Sequence, residues 1–273
     1  MGARRLPGVA ALLTAGAVAL SGCGTLASHL STASLRTDSP AAAHTSAGAR
    51  SGPAAARVVA PGKTLKLGAK GKAVQWLQKR LAQLGYRPGK ADGRYGGATM
   101  AAVWAFQKVN GIRPTSTVAR RTWDALETPR SPKVLVKDGR PTRAEVNLTK
   151  QIMVLYVDDE VKLITHVSSG SGVPYCETAS WQGKQQRFCG SASTPTGDYK
   201  TTWRARGWHR SYLGQLYNPI FFNGGIAFHG ALSVPLYPAS HGCVRMPMNV
   251  AEVLPGMLGK GVPVHVRGRF KRL

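Results

Sequence analysis

The hydrophobic pattern of this 273-residue chain changes its period near residue 131. Between Leu65 and Leu126 apolar residues recur every three or four positions, which is the spacing of one helix face. After Pro132 they alternate instead, which is typical of strands. One uniform architecture cannot satisfy both periods, so we predict a multidomain protein, with a helical domain over residues 63–129 and a β-rich domain over residues 132–269.

The helical part divides into three short helices. Apolar residues of the first end at Gly85, a typical C-terminal residue, and glycine-rich turns follow as far as Gly97. Thr99 is then expected to cap the second helix, and Trp123 to lie in a third.

The β-rich part begins with a predicted hairpin. Alternating residues on either side of Asp158-Asp159 indicate two paired strands, and the alternation from Val262 to Val266 indicates another strand near the C-terminus. A helical period occurs only around Val250 to Leu258, so one or two small helices should pack on the sheets.

The N-terminus has the form of an export signal. Arg4 and Arg5 precede a short apolar run that ends in Leu20-Ser21-Gly22-Cys23. This ending resembles the bacterial lipoprotein box, which implies removal of residues 1–22 and a diacylglyceryl anchor on Cys23. An ordinary signal peptide that ends near a cysteine would fit the same residues. With the lipid anchor, the exported protein is attached to the membrane and faces the cell wall.

Residues 23–62 are rich in Ala, Ser, Thr, Gly and Pro and contain almost no large apolar side chains. Such a segment cannot bury enough apolar surface to offset the entropy of ordering. We predict a flexible linker.

The chain is strongly basic, with 37 Lys and Arg against 12 Asp and Glu and a formal charge of +25. This charge favours anionic surroundings. No basic arm interleaved with stacking aromatic residues is evident, and the protein carries an export signal, so we expect no nucleic-acid partner. The expected partners are anionic cell-wall polymers and, through the lipid anchor, the membrane.

Lipidation of Cys23 would leave Cys176, Cys189 and Cys243 in an oxidising exterior. We predict a Cys176–Cys189 disulfide, whose loop of about 14 residues should stabilise the fold by roughly 3 kcal/mol. The same pair could instead form a reducible switch or a metal pair. Cys243 is then a free thiol outside the cell, which usually has a chemical role.

The helical segment resembles the small three-helix peptidoglycan-binding domain. The words that carry the resemblance are Leu67-Gly68, Val74, Leu77-Gln78, Leu84-Gly85-Tyr86, Asp92-Gly93, Tyr95-Gly96, Thr99, Ala102-Val103, Phe106-Gln107, Gly111 and Thr122-Trp123. The resemblance implies binding of peptidoglycan stem peptides and glycan. Pro114-Thr115-Ser116 departs from the usual Asp-Gly turn. A helical bundle without binding function would share most of these residues, because they specify the fold.

A dense group of reactive residues lies near the C-terminus. Ser240-His241-Gly242-Cys243-Val244-Arg245 follows Phe228-His229-Gly230 by a short segment. A thiol is a poor nucleophile at neutral pH unless an imidazole accepts its proton, and glycines let backbone N–H groups approach an oxyanion. The combination indicates acyl transfer.

These two motifs resemble the signature of the L,D-transpeptidase (YkuD-type) catalytic domain. Ser193-Thr194-Pro195-Thr196-Gly197-Asp198-Tyr199 resembles a second motif of that family, and the resemblance spans about residues 142–267. It implies a β-rich, mixed-sheet β-sandwich with small helices. The ten residues between His229 and Ser240 are fewer than in many members. The Cys176–Cys189 loop is an insertion relative to the minimal pattern.

The resemblance also implies a role for each site residue. Cys243 would be the nucleophile, His229 the general base and acid, and Gly230 the carbonyl that orients the imidazole. His241 would border the site, with Ser240 supporting it. The N–H groups of Gly242 and Cys243 would stabilise the oxyanion. Arg245 would attract a carboxylate of the stem peptide. Trp203, Trp208 and His209 would form substrate walls or pack in the core.

The implied reaction forms 3→3 crosslinks through a Cys243 thioester, with loss of D-alanine from a tetrapeptide stem and without cofactor or metal. Water as acceptor would make the protein an L,D-carboxypeptidase. The residues also leave open a papain-like cysteine hydrolase of stem peptides, a non-catalytic wall-binding lipoprotein and a zinc protein. The zinc ligands would be His229, His241 and Cys243.

Overall fold

The computed structural model describes residues 58–270, all within one compact unit. The predicted signal peptide, Cys23 and most of the predicted linker lie outside the described residues. Residues 58–62, the described end of that linker, contain no helix or strand. The N–H of Ala60 nevertheless donates a hydrogen bond of 2.9 Å to Oε1 of Glu127. The end of the predicted linker therefore contacts the helical segment.

The three predicted helices are present: α1 (Lys72–Gln83), α2 (Gly97–Val109) and α3 (Arg120–Glu127). Gly85 follows α1 with a φ of 83°, a conformation that favours glycine. The prediction for Thr99 is wrong, because α2 begins at Gly97 after Gly96 and Thr99 lies inside the helix. Its hydroxyl instead donates to the carbonyl of Pro88, which closes the preceding loop onto the helix.

Two buried glutamines hold the loops between the helices. Gln78 on α1 donates to Asp92, to the carbonyl of Arg94 and to Thr99, and accepts from the N–H of Gly93. Gln107 on α2 donates to the carbonyl of Thr117 and to the Thr122 hydroxyl, and accepts from the N–H of Thr115. Each amide satisfies loop backbone groups that the short helices leave unpaired. The Pro114-Thr115-Ser116 turn is therefore held by the hydrogen bond from the N–H of Thr115 to the side chain of Gln107.

Beyond the helices, the chain is rich in strands. In chain order these are β1 (Arg143–Asn147), β2 (Ile152–Val157), β3 (Glu160–His166), β4 (Pro174–Trp181), β5 (Lys184–Ser191), β6 (Gly197–Lys200), β7 (Trp208–Ser211), β8 (Gly214–Asn223), β9 (Ile226–Gly230), β10 (Val244–Met246) and β11 (Pro263–Arg267). The short helices α4 (Met248–Ala251) and α5 (Leu254–Met257) lie between β10 and β11.

Two mixed sheets enclose the core of this part. One has the strand order β3-β2-β1-β11-β6 and the other β10-β9-β8-β7. Each contains one parallel pair, β1 with β11 and β9 with β10, among antiparallel neighbours. Side chains from both sheets and from α4 and α5 form one apolar cluster. The predicted β-rich, mixed-sheet fold after a three-helix segment is confirmed.

Strand β2 is buried on both faces because the helices pack against the first sheet. Met153 and Leu155 belong to the core between the two sheets. Ile152, Val154 and Tyr156 face the other way and share an apolar cluster with the helices. The sequence Ile-Met-Val-Leu-Tyr-Val is correspondingly apolar at every position, as expected of a strand without a solvent face.

Within residues 58–270, no helix combines the length and apolar character needed to cross a membrane.

Candidate active site

Strands β9 and β10 bring the two principal candidate residues together. The strands run parallel with Phe228 opposite Val244 and His229 opposite Arg245. Cys243 immediately precedes β10, and side chains two positions apart on a strand share a face. Cys243, Arg245 and His229 therefore lie on the same face of neighbouring strands, with Cys243 diagonal to the imidazole.

All three side chains line one cavity of about 960 Å³. Cys243 is not in a disulfide and is partly exposed to this cavity. The structure therefore leaves its sulfur accessible to a substrate.

His229 is buried and held by the backbone. Its Nδ1 lies 2.9 Å from the carbonyl oxygen of Gly230, which accepts a hydrogen bond from it. Nδ1 then carries the proton and Nε2 keeps its lone pair. Burial lowers the pKa of His229 to about 4, with a smaller lowering by the positive charge of Arg245. The imidazole is therefore a neutral base at physiological pH.

Gly230 leaves room for the helix beneath the site. A β-carbon at this position would stand 2.9 Å from Cβ of Ala251 and 3.0 Å from Sδ of Met248. Glycine therefore lets α4 pack against the strand that carries His229.

The Cys243 thiol is protonated at rest. Its Sγ lies 3.6 Å from the carbonyl oxygen of Gly225, to which the thiol donates. Burial raises the pKa of Cys243, while a backbone hydrogen bond and the charge of Arg245 oppose that rise less strongly. A raised thiol pKa and a lowered imidazole pKa together mean that thiol and imidazole are both neutral before substrate arrives.

Ser240 shapes the turn that presents Cys243. Its hydroxyl donates to the carbonyl of Cys243 and accepts a bond of 3.0 Å from the N–H of Gly242. In this structure the N–H of Gly242, which the family resemblance assigns to the oxyanion, donates to Ser240. The N–H of Cys243 remains the oxyanion donor of our proposal.

Thr194 ties the second sequence motif to the same turn. Its hydroxyl donates to the carbonyl of Gly242 and accepts a bond of 2.8 Å from the N–H of Gly170. Gly242 has a φ of 140°, and a β-carbon there would meet the carbonyl of Ser193 at 3.0 Å. The Thr-Pro-Thr-Gly segment thus packs against the turn that presents Cys243 and holds it by a hydrogen bond.

His241 and Arg245 both line the cavity. Nε2 of His241 lies 2.7 Å from Oε1 of Glu177, and its ring meets that of Tyr175 edge-on at 4.7 Å. No sequence signal pointed to Glu177, because it lies in the insertion on which the family resemblance is silent.

The insertion is a separate two-stranded sheet, β4 with β5. Cys176 and Cys189 lie directly opposite each other and form a disulfide. Phe188 of this disulfide hairpin, residues 174–191, stacks on Tyr212 with ring centroids 4.1 Å apart. The hairpin therefore contacts both the cysteine turn and the β7–β8 connection.

Aromatic residues form much of the cavity wall. Trp203 stacks on Phe221 at 3.9 Å and meets His209 edge-on at 5.4 Å. Trp208 packs at an angle on Tyr217. Trp203 and Trp208 each remain about half exposed, at 49% and 48%, so they pack locally and also face the cavity.

Among the described residues, no three His, Cys, Asp or Glu side chains are grouped so that they could hold a metal ion.

Comparison with known proteins gives two family matches. Residues 70–126 match the peptidoglycan binding domain, and residues 141–266 match the L,D-transpeptidase catalytic domain. No curated protein matches the chain.

Solved structures also match. An L,D-transpeptidase from Xylanimonas cellulosilytica is 37% identical, and the match covers 75% of this chain and 98% of that one with a TM-score of 0.66. An L,D-transpeptidase from Stackebrandtia nassauensis is 26% identical, covering 76% and 96% with a TM-score of 0.41.

Fold and matches place the protein among enzymes built on a YkuD-type domain. The chain belongs to the L,D-transpeptidase family and carries a peptidoglycan binding domain ahead of its catalytic domain.

Proposed function

We propose that this protein is a peptidoglycan L,D-transpeptidase that forms 3→3 crosslinks through a thioester on Cys243. One observation carries the proposal: the free thiol and the oriented, neutral His229 lie on one face of adjacent parallel strands and line the same cavity. The resemblance of the sequence motifs to the family supports the choice of substrate.

The reaction starts from a neutral thiol and a neutral imidazole. Nε2 of His229 accepts the thiol proton as Sγ of Cys243 attacks the carbonyl carbon of the third residue of a tetrapeptide stem. The N–H of Cys243 stabilises the oxyanion of the tetrahedral intermediate. When this intermediate collapses, the C–N bond to D-alanine breaks and the leaving amine takes the proton from His229. A thioester remains on Cys243.

The second half resolves the thioester. An amine of another stem attacks the same carbonyl carbon, loses its proton to His229, and forms the new amide as the C–S bond breaks. The proton returns to the sulfur, which restores the free enzyme. Arg245 faces the cavity beside Cys243 and would attract a carboxylate of the stem. His241 would border the site, held by Glu177.

Mass spectrometry with a purified tetrapeptide stem tests this assignment. We expect loss of D-alanine, a transient acyl adduct on Cys243 and, with a second stem as acceptor, a crosslinked dimer. A tripeptide product alone would instead indicate an L,D-carboxypeptidase. Carbapenem-type β-lactams should acylate Cys243 by the same chemistry.

Four variants control the experiment. Cys243→Ala should abolish D-alanine release, whereas replacing both Cys176 and Cys189 with serine should leave Cys243 able to form the adduct. His229→Gln should slow acylation strongly, while His265→Gln, which changes a histidine of β11 that does not line this cavity, should not. Continued release by Cys243→Ala would exclude thiol catalysis.

Peptidoglycan-related domains make this an exported, cell-wall-facing protein. We further propose lipidation of Cys23, with domains at residues 63–129 and 132–269 and with anionic wall polymers as partners of the basic surface. The mature membrane-associated protein should carry a diacylglyceryl group on Cys23. Cys23→Ser should appear in the soluble exported fraction.

A further inference from the structure

A buried lysine crosses from the helical segment into the catalytic fold. Lys108 lies on α2 and is only 9% exposed. Its Nζ lies 3.1 Å from the carbonyl oxygen of Gln151 and 2.8 Å from Nδ1 of His166, at the end of β3. Both partners are neutral groups. Burying an amine among neutral groups is costly, so this lysine is a poor choice for packing alone.

His166 contacts Lys108 through one ring nitrogen and two backbone carbonyls through the other. The lysine donates to Nδ1, so Nδ1 is an acceptor and the ring proton lies on Nε2. Nε2 then donates to the carbonyl oxygens of Val234 and Pro235, at 3.1 and 3.0 Å. Trp104 of α2 packs edge-on against the same ring, with centroids 5.3 Å apart. Nδ1 also lies 3.3 Å from the carbonyl oxygen of Gln151, but only the tautomer with the proton on Nε2 serves both Lys108 and these two carbonyls. The contacts from helix α2 therefore favour this tautomer and orient the ring.

Val234 and Pro235 belong to a segment that joins the two halves of the candidate active site. We name residues 231–239 the catalytic connector, since they link His229 to the turn that begins at Ser240. Its first three residues line the cavity. Leu232 and Tyr237 are 87% and 61% exposed, so their side chains do little to hold it.

The connector is held mainly through its backbone by the residues that end and follow β3. Ser168 donates a bond of 2.7 Å to the carbonyl of Tyr237. The N–H groups of Ala239 and Ser240 both donate to the carbonyl of Ser169 at 3.0 Å. At the other end, the N–H of Ala231 donates to the carbonyl of Met246 at 3.1 Å. The contact from His166 to Val234 and Pro235 holds the middle of the connector. Losing it would free the middle while both ends stay attached.

We propose that Lys108 and His166 are positioning residues, through which the helical segment holds the catalytic connector in its reactive conformation. The peptidoglycan-binding region is then a structural part of the active site as well as a wall-binding element. The inference rests on the proposed function only in that acylation of Cys243 is the reaction measured.

The test uses the full exported chain and a soluble tetrapeptide, for which wall binding is irrelevant. Lys108→Met keeps the length of the side chain and removes the hydrogen bonds. We expect kcat to fall about tenfold or more with KM within about twofold, because displacing a reactive segment slightly costs rate more than affinity. Amide hydrogen exchange should increase in residues 231–239. Lys79→Met, an exposed lysine on α1, is the matched control and should behave as wild type.

A pair of variants at His166 separates positioning from folding. The amide nitrogen of glutamine can occupy the place of Nε2 and donate to the connector, whereas the shorter asparagine cannot reach it. His166→Gln should keep most of the wild-type kcat, and His166→Asn should lose it about as far as Lys108→Met does. Thermal unfolding of each variant identifies any that fail to fold.

Unchanged kcat and unchanged exchange in a folded Lys108→Met protein would overturn the proposal, as would equal activity of the two His166 variants. If wild-type protein releases no D-alanine, the proposed function fails instead. Hydrogen exchange in residues 231–239 then still decides whether Lys108 holds the connector.

Discussion

Oε1 of Glu177 lies 2.7 Å from Nε2 of His241, which joins the disulfide hairpin to the turn that presents Cys243. The contact is half-exposed, so its contribution to global stability should be at most about 1 kcal/mol. Its importance is local, because hairpin and turn form adjoining parts of one cavity wall.

Glu177→Gln should loosen the hairpin without unfolding the protein. The carboxylate is lost, so His241 keeps only a neutral partner and residues 174–191 should exchange amide hydrogens faster. Arg187→Gln, on the opposite strand of the same hairpin, is the control. Equal exchange in the two variants would mean that the Glu177 contact does not hold the hairpin.

Replacing Cys176 and Cys189 with serine should affect the hairpin more than the rest of the fold. The bridge closes a loop of about 14 residues, for which chain entropy predicts about 3 kcal/mol. The hairpin forms its own sheet, so we expect faster exchange in residues 174–191 and little change in the two large sheets. A cooperative loss of the whole fold would contradict this view.

Thr194→Val should slow acylation, although valine has nearly the same shape as threonine. The variant removes the hydroxyl that links Gly170 to Gly242, and each lost hydrogen bond costs about 1 kcal/mol. We expect a lower Tm and a fall in acylation of roughly tenfold or more, because the cysteine turn loses its support. Thr196→Val, an exposed threonine in the same loop, should match wild type in both measurements.

The rate of acylation should not fall near pH 6.5, where an ordinary histidine becomes protonated. His229 has a pKa of about 4, so it stays a competent base down to that pH and not merely to 6.5. The raised pKa of Cys243 places thiolate formation on the alkaline side. Carbapenem acylation rates followed from pH 4 to 9 check this. A loss of rate centred near pH 6.5 would show that the imidazole is not desolvated as the structure indicates.

Stability should decrease between pH 6.5 and about 4. Burial lowers the pKa of both His229 and His166 in the folded protein, so below 6.5 the unfolded chain binds more protons than the folded one. For His229 the full effect is on the order of 3 kcal/mol, present above pH 6.5 and lost by about pH 4.

Carboxylates act in a different window. The pKa values of Asp92 and Asp198 are lowered from 3.8, so their stabilisation is lost only below that pH. Chemical denaturation of wild type and of His166→Gln, measured from pH 4 to 8, isolates the histidine contribution. The variant should show the shallower slope.

Local sequence pattern was enough to find most elements. The three helices follow from apolar spacing, and the strands around Asp158-Asp159 follow from alternation. The start of α2 is not evident from the sequence, because the helix begins at Gly97 after Gly96 and Thr99 binds the preceding loop instead of capping the helix. The family resemblance is confirmed for both segments.

The roles of the candidate residues depended on contacts that no motif contains. Nothing in the sequence indicated that Ser240 would occupy the N–H of Gly242, or that Glu177 would reach His241. Lys108 and His166 are 58 positions apart, and no local pattern marks either of them, since one resembles a helix-surface lysine and the other a strand residue.

Periodicity and short motifs are local properties of the chain, so they were sufficient to predict the order of helices and strands and the family. Which hydrogen-bonding groups of the active site are already paired, and which remain available, follows only from the folded structure. Such pairing depends on how distant strands, hairpin and helices pack around the cavity, and that packing is a property of the whole fold.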